Sequence, residues 1–413
     1  MNINFQNGGK VIGSGGFGCV FFPALKCKNQ TSKFNGISKL SYKDEISKEM
    51  ALNNKIKPII LRIPNYNKFF LINEIFTCQP QALLKKDMKN LEKCYFLDSL
   101  KISKDNINKN IDLFDIINIP YGGKELFELI DKNKNIIKKF KYFNDHFYYL
   151  LKYAIFPMNN LGLNHNDIKS NNLLIEPNNP DSEIKIIDWA LSSVIDISIT
   201  SYPDIPENIR TRGIQFNLPF STILFTKNFV KFYKNALDNL LHKPDIIFLK
   251  KFVIFYIHTF FFEIGHTKYI IDNLFPLVFD INANNINSQN ENFNNLIKYS
   301  LGASFMVEYI AKILLEFTDF NTNIFDEKKY YFKVFRKNSD IWGFLTIYLD
   351  ILLTTRSKKI NYNKNNIIYF INKFLYTTEY ATQPIPYSLL LDSIQKININ
   401  LPKNKTKKNK KYY

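Results

Sequence analysis

The sequence of 413 residues predicts a mixed α+β chain, β-rich toward its N-terminus and mainly helical beyond. Three observations predict this. Residues 10–80 alternate short β-prone runs with turns around a single helical stretch. Apolar residues recur at helical spacing over 143–163. Residues 220–338 read as one long, mostly helical region. The length fits two or three domain-sized units, or one two-lobed body carrying insertions. Hydrophobic residues make up 46% of the chain, which excludes a disordered polyampholyte.

Taken in order, Lys10–Phe22 holds two β-prone runs around a glycine cluster. Lys28–Gly36 is a polar turn, Ile37–Leu40 a short strand, Ser41–Ile56 a helix and Lys68–Thr77 a further strand. Within 143–163, Phe147, Leu150, Leu151, Ala154, Ile155 and Met158 share one face, and Pro157 should kink the helix near its end. Leu173–Ile175 and Ile184–Ile187 are short apolar strands flanking the Asn- and Pro-rich turn Glu176–Glu183. Asn282–Asn295 breaks the long helical region, helices resume over roughly 366–397, and the tail Pro402–Tyr413, with six lysines, reads as disordered.

Basic residues exceed acidic ones by 18, yet only five of the 55 are arginine. That is the mark of an A+T-rich coding bias rather than of a selected surface, so the charge is not read as a nucleic-acid signal. Met1–Lys10 is polar and lacks the apolar core of a signal peptide. The longest apolar run, Phe252–Phe262, is bounded by Lys250, Lys251 and Glu263 and reads as a buried aromatic helix rather than a membrane span. Cys19, Cys27, Cys78 and Cys94 form no C-x-x-C pair. They read as neither a disulfide framework nor a zinc site, which suits a reducing intracellular compartment. The five histidines show no metal-ligand spacing.

Two motifs carry chemistry. Gly13-Ser14-Gly15-Gly16-Phe17-Gly18-Cys19-Val20 fits G-x-G-x-x-G-x-V. Glycines in a turn between strands let backbone amides approach a polyphosphate without Cβ interference. A dinucleotide site would need a helix to open at the glycines. β-prone Val20–Phe22 follows instead, which favours a phosphate-covering hairpin. The second motif, His165-Asn166-Asp167-Ile168-Lys169-Ser170-Asn171-Asn172, fits H-x-D-x-K-x-x-N and runs straight into an apolar strand. Ile184–Ala190 then places Asp188 just after another. Phosphoryl transfer needs a carboxylate near the attacking hydroxyl and oxygen ligands for Mg²⁺, and two short strands joined by a turn would gather Asp167, Asn172 and Asp188.

With these residues in place, the chain resembles the eukaryotic-type protein kinase superfamily over roughly 8–220, with a weaker echo at 338–355. Within it, the sequence is most similar to the divergent serine/threonine kinases of large DNA viruses. Phrases like Ile37-Ser38-Lys39-Leu40, Pro120-Tyr121-Gly122-Gly123, Gly213–Ser221 and Asp340-Ile341-Trp342-Gly343-Phe344 recur there. The resemblance implies a two-lobed fold: an N-lobe over 1–118, then hinge, catalytic loop and activation segment over 119–221. A helical insertion over 222–338, terminal C-lobe helices over 339–400 and the basic tail 401–413 complete it. It implies Asp167 as catalytic base, Lys169 as the cation on the transferred phosphoryl group, and Asn172 and Asp188 as ligands of Mg²⁺ or Mn²⁺. Gly13–Gly18 and Val20 would cover the ATP phosphates, and Ile119–Gly123 would be the adenine hinge.

The phosphate-anchoring lysine follows from spacing. Ala24-Leu25-Lys26 matches the family's A-x-K, but Lys26 comes eight residues after Gly18, too few for the rest of one strand, a turn and a third strand. Lys39 leaves room. Its helix partner is Glu45 or Glu49, which share a face, and Glu49 is preferred because six residues leave little chain to turn and begin a helix. Asp340 would anchor the catalytic loop from a helix start by accepting its backbone N–H groups.

Asn166 stands where the family has an arginine that pairs with a phosphorylated activation loop, which argues against that form of control. Trp189-Ala190 replaces Phe-Gly, and no A-P-E triplet closes the activation segment. The implied partners are ATP and protein substrates in an intracellular setting (host cytoplasm or virion if viral), with no membrane; nucleic-acid contact by the basic tail has no support beyond its charge, and a solvated, functionless tail reads equally well. Three other readings stand beside this one: a small-molecule kinase of the aminoglycoside or choline type, disfavoured by Lys169; a catalytically dead kinase-shaped module, disfavoured by the retained Lys39, Asp167, Asn172 and Asp188; and a nucleic-acid-binding protein, for which no zinc finger, RRM or helix-turn-helix pattern is found.

Overall fold

The computed structural model describes residues 9–16, 18–28, 34–132, 139–179, 181–198, 201–261, 263–279, 291–354 and 362–399; for 291–303, 362–363 and 398–399 only the backbone is described. Phe17, the part of the Asn-rich break up to Asn290 and the lysine tail 401–413 lie outside these residues.

The structure is α+β with small antiparallel sheets. Along the chain come β1 (Lys10–Gly15), β2 (Gly18–Phe22), β3 (Gly36–Tyr42), α1 (Lys43–Ile60), β4 (Phe76–Cys78), α2 (Tyr95–Asp98), β5 (Phe114–Pro120), β6 (Lys124–Glu125), α3 (Leu126–Lys132), α4 (Phe140–Leu150) and α5 (Phe156–Asn160). Then follow β7 (Leu163–Asn164), β8 (Leu173–Ile175), β9 (Lys185–Ile186), β10 (Ser193–Val194), α6 (Glu207–Arg210), α7 (Lys227–Asp238), α8 (Ile246–Phe260), α9 (Thr267–Tyr269), α10 (Phe275–Val278) and α11 (Glu291–Phe317). The hairpin β11 (Thr318–Asp319) and β12 (Ile324–Phe325) precedes α12 (Glu327–Tyr330), α13 (Arg336–Thr354), α14 (Tyr362–Phe374) and α15 (Tyr387–Ile399).

The chain divides into two compact units: Met1–Glu125 with Asn172–Ala190, and Leu126–Asn171 with Leu191–Tyr413. The first holds a five-stranded sheet in the order β1-β2-β3-β5-β4 and a three-stranded sheet β6-β8-β9. Its core gathers Val11, Cys19, Phe21, Leu40, Phe114 and Ile116 from the strands with Leu91, Phe96 and Leu97 from the segment before β5. Here the cysteine reading is corrected. Cys19 is bonded to Cys94 and Cys27 to Cys78, with Cα separations of 5.6 and 5.7 Å, inside the range a disulfide spans. Partners 75 and 51 residues apart leave no local spacing signal, so their pairing follows only from the strand arrangement. Disulfides of this kind belong to chains that meet an oxidising environment, and the cysteines therefore do not support a reducing compartment.

Two further expectations for this unit shift. The strand predicted at Lys68–Thr77 forms only as Phe76–Cys78. Phe69, Phe70 and Ile72 are buried as their apolarity demands, but a 3₁₀ turn over Tyr66–Lys68 takes the start of the run and Glu74 takes positive φ, at 57°, which breaks the extension. The helix predicted over 41–56 runs over Lys43–Ile60, because β3 stays paired through Tyr42 on its β5 side.

The second unit is built around α13, whose residues 338–349 are all buried, as for a helix enclosed on every side. Within 143–163 the chain does not simply kink at Pro157. A π-helical turn, Leu151–Ile155, sits between α4 and α5 just before it. Proline offers no N–H and its ring crowds the preceding turn, and the wider turn relieves both. The Asn-rich break ends sooner than expected, since α11 begins at Glu291. In α8, Leu249, Phe252, Val253, Tyr256 and Ile257 are buried, whereas Ile247, Ile254 and Phe255 lie more than half exposed, so only one face of the expected aromatic helix is covered. Among the described residues no helix is long and apolar enough to cross a membrane.

Candidate functional site

In the first unit, β1 and β2 pair as Gly13↔Val20, Ser14↔Cys19 and Gly15↔Gly18, so Gly16 lies beyond the last pair of the ladder. The glycines are not equivalent. A Cβ at Gly18 would press on the Leu40 carbonyl at 2.6 Å, so Gly18 is needed for the contact with β3. A Cβ at Gly16 would meet nothing within 4 Å, and at Gly13 and Gly15 only ordinary contacts. Among the described residues nothing packs tightly into the space beside these three.

Val20 lies directly opposite Lys39 on β3. Lys39 Nζ donates to Glu49 Oε2 at 2.6 Å, with both side chains about three-tenths exposed. Glu45, one helical turn earlier, pairs instead with Lys48. Lys26 is exposed in the irregular stretch after β2. Spacing alone thus separated the lysine that lies on the third strand from the one that does not. After β5, Tyr121 stacks on Phe22 with ring centroids 4.8 Å apart. Gly122 packs against Leu71 and Leu174, and Gly123, at φ 110°, leaves no room for a Cβ beside the Ile175 carbonyl.

The ladder β8–β9, with Leu173↔Ile186, is extended by a hydrogen bond from Ile187 N to the Asn172 carbonyl at 3.0 Å. Asn172 is thereby brought opposite the residue that precedes Asp188. Asp188 takes φ 64°, a strained choice for a residue with a side chain. Trp189 is buried and packs on Phe70 with ring centroids 6.0 Å apart. A carboxamide and a carboxylate are hard oxygen donors, suited to Mg²⁺ or Mn²⁺ when substrate phosphates supply further ligands. Among the described residues no cluster of three His, Cys, Asp or Glu side chains has metal-binding geometry.

In the second unit, β7 and β10 frame the segment 165–171. Asp340 is fully buried and serves it from the interior of α13, not from the helix start that the sequence suggested. Its carboxylate accepts from His165 N at 2.9 Å, Asn166 N at 2.7 Å and Asn159 Nδ2 at 2.6 Å. Gly343, one turn on, has no room for a Cβ because the Ile168 carbonyl occupies that space. Trp342 Nε1 donates to the Phe216 carbonyl at 3.1 Å. The spacing Asp340-Ile341-Trp342-Gly343 therefore has a physical reason at each of its three marked positions.

Asn166 is at φ 59°, a conformation asparagine tolerates better than most residues. Its amide donates to Ser193 Oγ at 3.0 Å, and its carbonyl accepts from Arg212 Nη1 at 2.5 Å. Burial pushes the Arg212 pKa down, opposed by the charges of Asp167 and Asp340.

Asp167 itself is buried, and its carboxylate accepts from Asn217 Nδ2 at 2.8 Å and Lys169 Nζ at 2.9 Å. Burial alone would push its pKa up. The Lys169 ammonium, the Asn217 and Lys169 hydrogen bonds and the nearby His165 outweigh it and hold the carboxyl below its usual range. Ser170 Oγ donates to Asp350 Oδ2 at 2.5 Å. Burial pushes Asp350 up to about 6, the Ser170 hydrogen bond opposing. Asn217, Arg212 and Asp350 had no role in the sequence reading. Asn217 and Arg212 lie in or beside a quoted phrase, and Asp350 carries no motif.

No family model matches the chain, and no curated protein aligns with it. What the two units offer chemically is an ionised, hydrogen-bonded carboxylate beside an ammonium in one, and in the other an open glycine hairpin over a lysine–glutamate pair, with an oxygen-donor pair on a separate strand ladder.

Proposed function

We propose that the chain is a two-lobed serine/threonine protein kinase that transfers the γ-phosphoryl group of ATP to protein hydroxyls. The observation that carries this reading is the segment 165–170: a buried Asp167 held ionised by Lys169 and Asn217, on backbone clamped by Asp340. An ionised carboxylate at that place orients a hydroxyl and takes its proton as the oxygen attacks phosphorus and the bond to the ADP oxygen breaks. Lys169 stands ready to offset charge on the phosphoryl group in transit.

The rest of the assignment follows the same reading. Gly13, Gly15 and Gly16 carry no Cβ where phosphates would approach the hairpin. Lys39, oriented by Glu49, anchors them. Asn172 and Asp188 would hold Mg²⁺ or Mn²⁺, which when bound neutralises phosphate charge.

The test is transfer of radiolabelled phosphate from ATP to casein by purified full-length protein, with choline and an aminoglycoside as alternative acceptors. Asp167→Ala should lower turnover by roughly 10²–10⁴-fold while leaving ATP binding largely intact, and Asp188→Asn should abolish metal-dependent transfer. Wild-type turnover in Asp167→Ala would overturn the base assignment. Transfer to choline or the aminoglycoside alone would favour the small-molecule reading, and ATP binding with no turnover in Mg²⁺ or Mn²⁺ would favour a binding module.

A further inference from the structure

His266 reaches the segment 213–217 from the stretch 222–338, where no sequence motif points to chemistry. Gly265, just before it, takes φ 74°, and a Cβ there would lie 2.4 Å from the Ile214 carbonyl. Only glycine lets the two backbones come this close. The approach is used: His266 N donates to that same carbonyl at 2.8 Å. The imidazole then meets the residues that follow. Its Nδ1 accepts from Phe216 N at 3.4 Å, and the two rings pack with centroids 5.1 Å apart. A bond of that length is weak by itself. The 2.8 Å backbone bond and the ring contact fix the imidazole in place, so that its nitrogen stands where the carbonyl of a paired strand would stand. The Phe216 carbonyl accepts from Trp342 Nε1 at 3.1 Å. Phe216 is thus held at both its N–H and its carbonyl.

The residue that gains from this is the next one. Asn217 is buried and donates from Nδ2 to Asp167 Oδ1 at 2.8 Å and to the Ile168 carbonyl at 3.3 Å. Its side chain is short, so where the amide reaches is set by where its backbone sits. A nitrogen of histidine accepts only while it carries no proton, and in the neutral ring the single proton is then on Nε2. Burial and the Lys169 ammonium push the His266 pKa down, with Asp167 opposing, so the ring is neutral at neutral pH. Those two charged groups face it from the segment 165–171. Residues 213–217 hold no titratable side chain. Tyr269 packs on the same Phe216 ring with centroids 6.0 Å apart, and Asp350 of α13 acts on Tyr269.

We propose that His266 is a positioning residue: with Nδ1 unprotonated it holds Phe216, and through Phe216 it keeps the Asn217 amide on the Asp167 carboxylate. This rests on the reading of Asp167 as the base. It gives the stretch 222–338 a part in phosphoryl transfer. It also makes transfer fall as the imidazole takes up a proton, because a protonated Nδ1 would set one N–H against another.

The experiment compares wild type, His266→Asn and His266→Leu as full-length proteins. Transfer of radiolabelled phosphate to casein is followed over about pH 5 to 8, with amide exchange of 213–217 and NMR of ¹⁵N-labelled histidine alongside. Asparagine places an acceptor oxygen near the position of Nδ1 and does not titrate; leucine fills space and offers no acceptor. Displacing a catalytic group by about 1 Å can cost about 10²-fold in rate, so His266→Leu should lower kcat about tenfold or more, with KM for ATP unchanged. It should also speed amide exchange at Phe216, and His266→Asn should recover most of both losses. Wild type should lose rate below the ordinary imidazole value of about 6.5, along a limb that follows protonation of the ring, and His266→Asn should lack that limb. At pH 7 the wild-type ring should be in the Nε2–H form. An Nδ1–H form, acid limbs that coincide in wild type and His266→Asn, or wild-type kcat in His266→Leu would overturn the proposal. Failure of the kinase reading looks different: wild type transfers nothing, or Asp167→Ala transfers at the wild-type rate. The exchange and NMR measurements need no turnover, so in that case an Nε2–H ring with faster exchange in His266→Leu would still support the hold on Phe216, and the opposite result would overturn it.

Discussion

Replacing Asp340 with alanine leaves the N–H groups of His165 and Asn166 without their acceptor in a fully buried place. Hydrogen bonds to a charged group contribute about 1.5–3 kcal/mol each, so the two backbone bonds alone put the loss at about 3–6 kcal/mol. Asn159 Nδ2 also loses this acceptor, but it still reaches the Leu163 carbonyl at 3.1 Å and should add little. Against a total stability of about 5–15 kcal/mol, such a loss brings the domain close to unfolding at 37 °C. Asp340→Asn keeps one acceptor oxygen and turns the other into a donor facing an N–H, so it should cost roughly half as much. Urea denaturation followed by circular dichroism measures both. A loss below about 1 kcal/mol for Asp340→Ala, or equal losses for the two variants, would refute the argument that this carboxylate fixes the loop through two backbone bonds.

Other outcomes can be checked alongside it. Lys39→Met should cripple phosphate transfer far more than Lys26→Met, and the reverse order in a radiolabel assay would displace the anchor from β3. Protein denatured without reductant should show no free thiol by colorimetric titration, and Cys19→Ser with Cys94→Ser should lower stability by about 2–5 kcal/mol; four titratable thiols in oxidised buffer would contradict both bridges. For Asp350 the folded pKa, about 6, lies above the ordinary carboxylate value, so the folded state binds the extra proton between about pH 4 and 6. Stability from this group is full below about pH 4 and lost as pH rises through 6, so Asp350→Asn should stabilise the protein at pH 7, by an amount on the order of 2 kcal/mol, and hardly at pH 4. A melting-temperature gain of equal size at both pH values would sink that account.

Local chemistry was legible in the sequence where covalent spacing constrains geometry. Lys39 could be chosen over Lys26 because a strand has a fixed rise per residue. The apolar strands around Asn172 and Asp188 could be read for the same reason. Glu49 does pair with Lys39, but shortness of chain before Glu45 is not the reason, since α1 begins at Lys43 directly after β3. What lay beyond reach was decided between distant segments. The partners of the four cysteines depend on how the strands and the segment before β5 pack together. Asp340 looked like a helix cap because an Asp before apolar residues usually is one, but α13 begins at Arg336 and the carboxylate turns to another segment. Asn166 looked like the loss of an arginine. The structure instead gives it a backbone conformation that asparagine tolerates and a hydrogen bond to Ser193. Asn217, fifty positions from Asp167, had no local signal that it would touch that carboxylate.

All four thiols reside in one of the two units and none in the other. Batches made in a reducing host and in an oxidising one would share a sequence, differ in mass by about 4 Da, and diverge in the unit that holds the five-stranded sheet. Weighing each batch by intact-mass spectrometry before comparing specific activities would keep a difference in workmanship from being mistaken for a difference in catalysis.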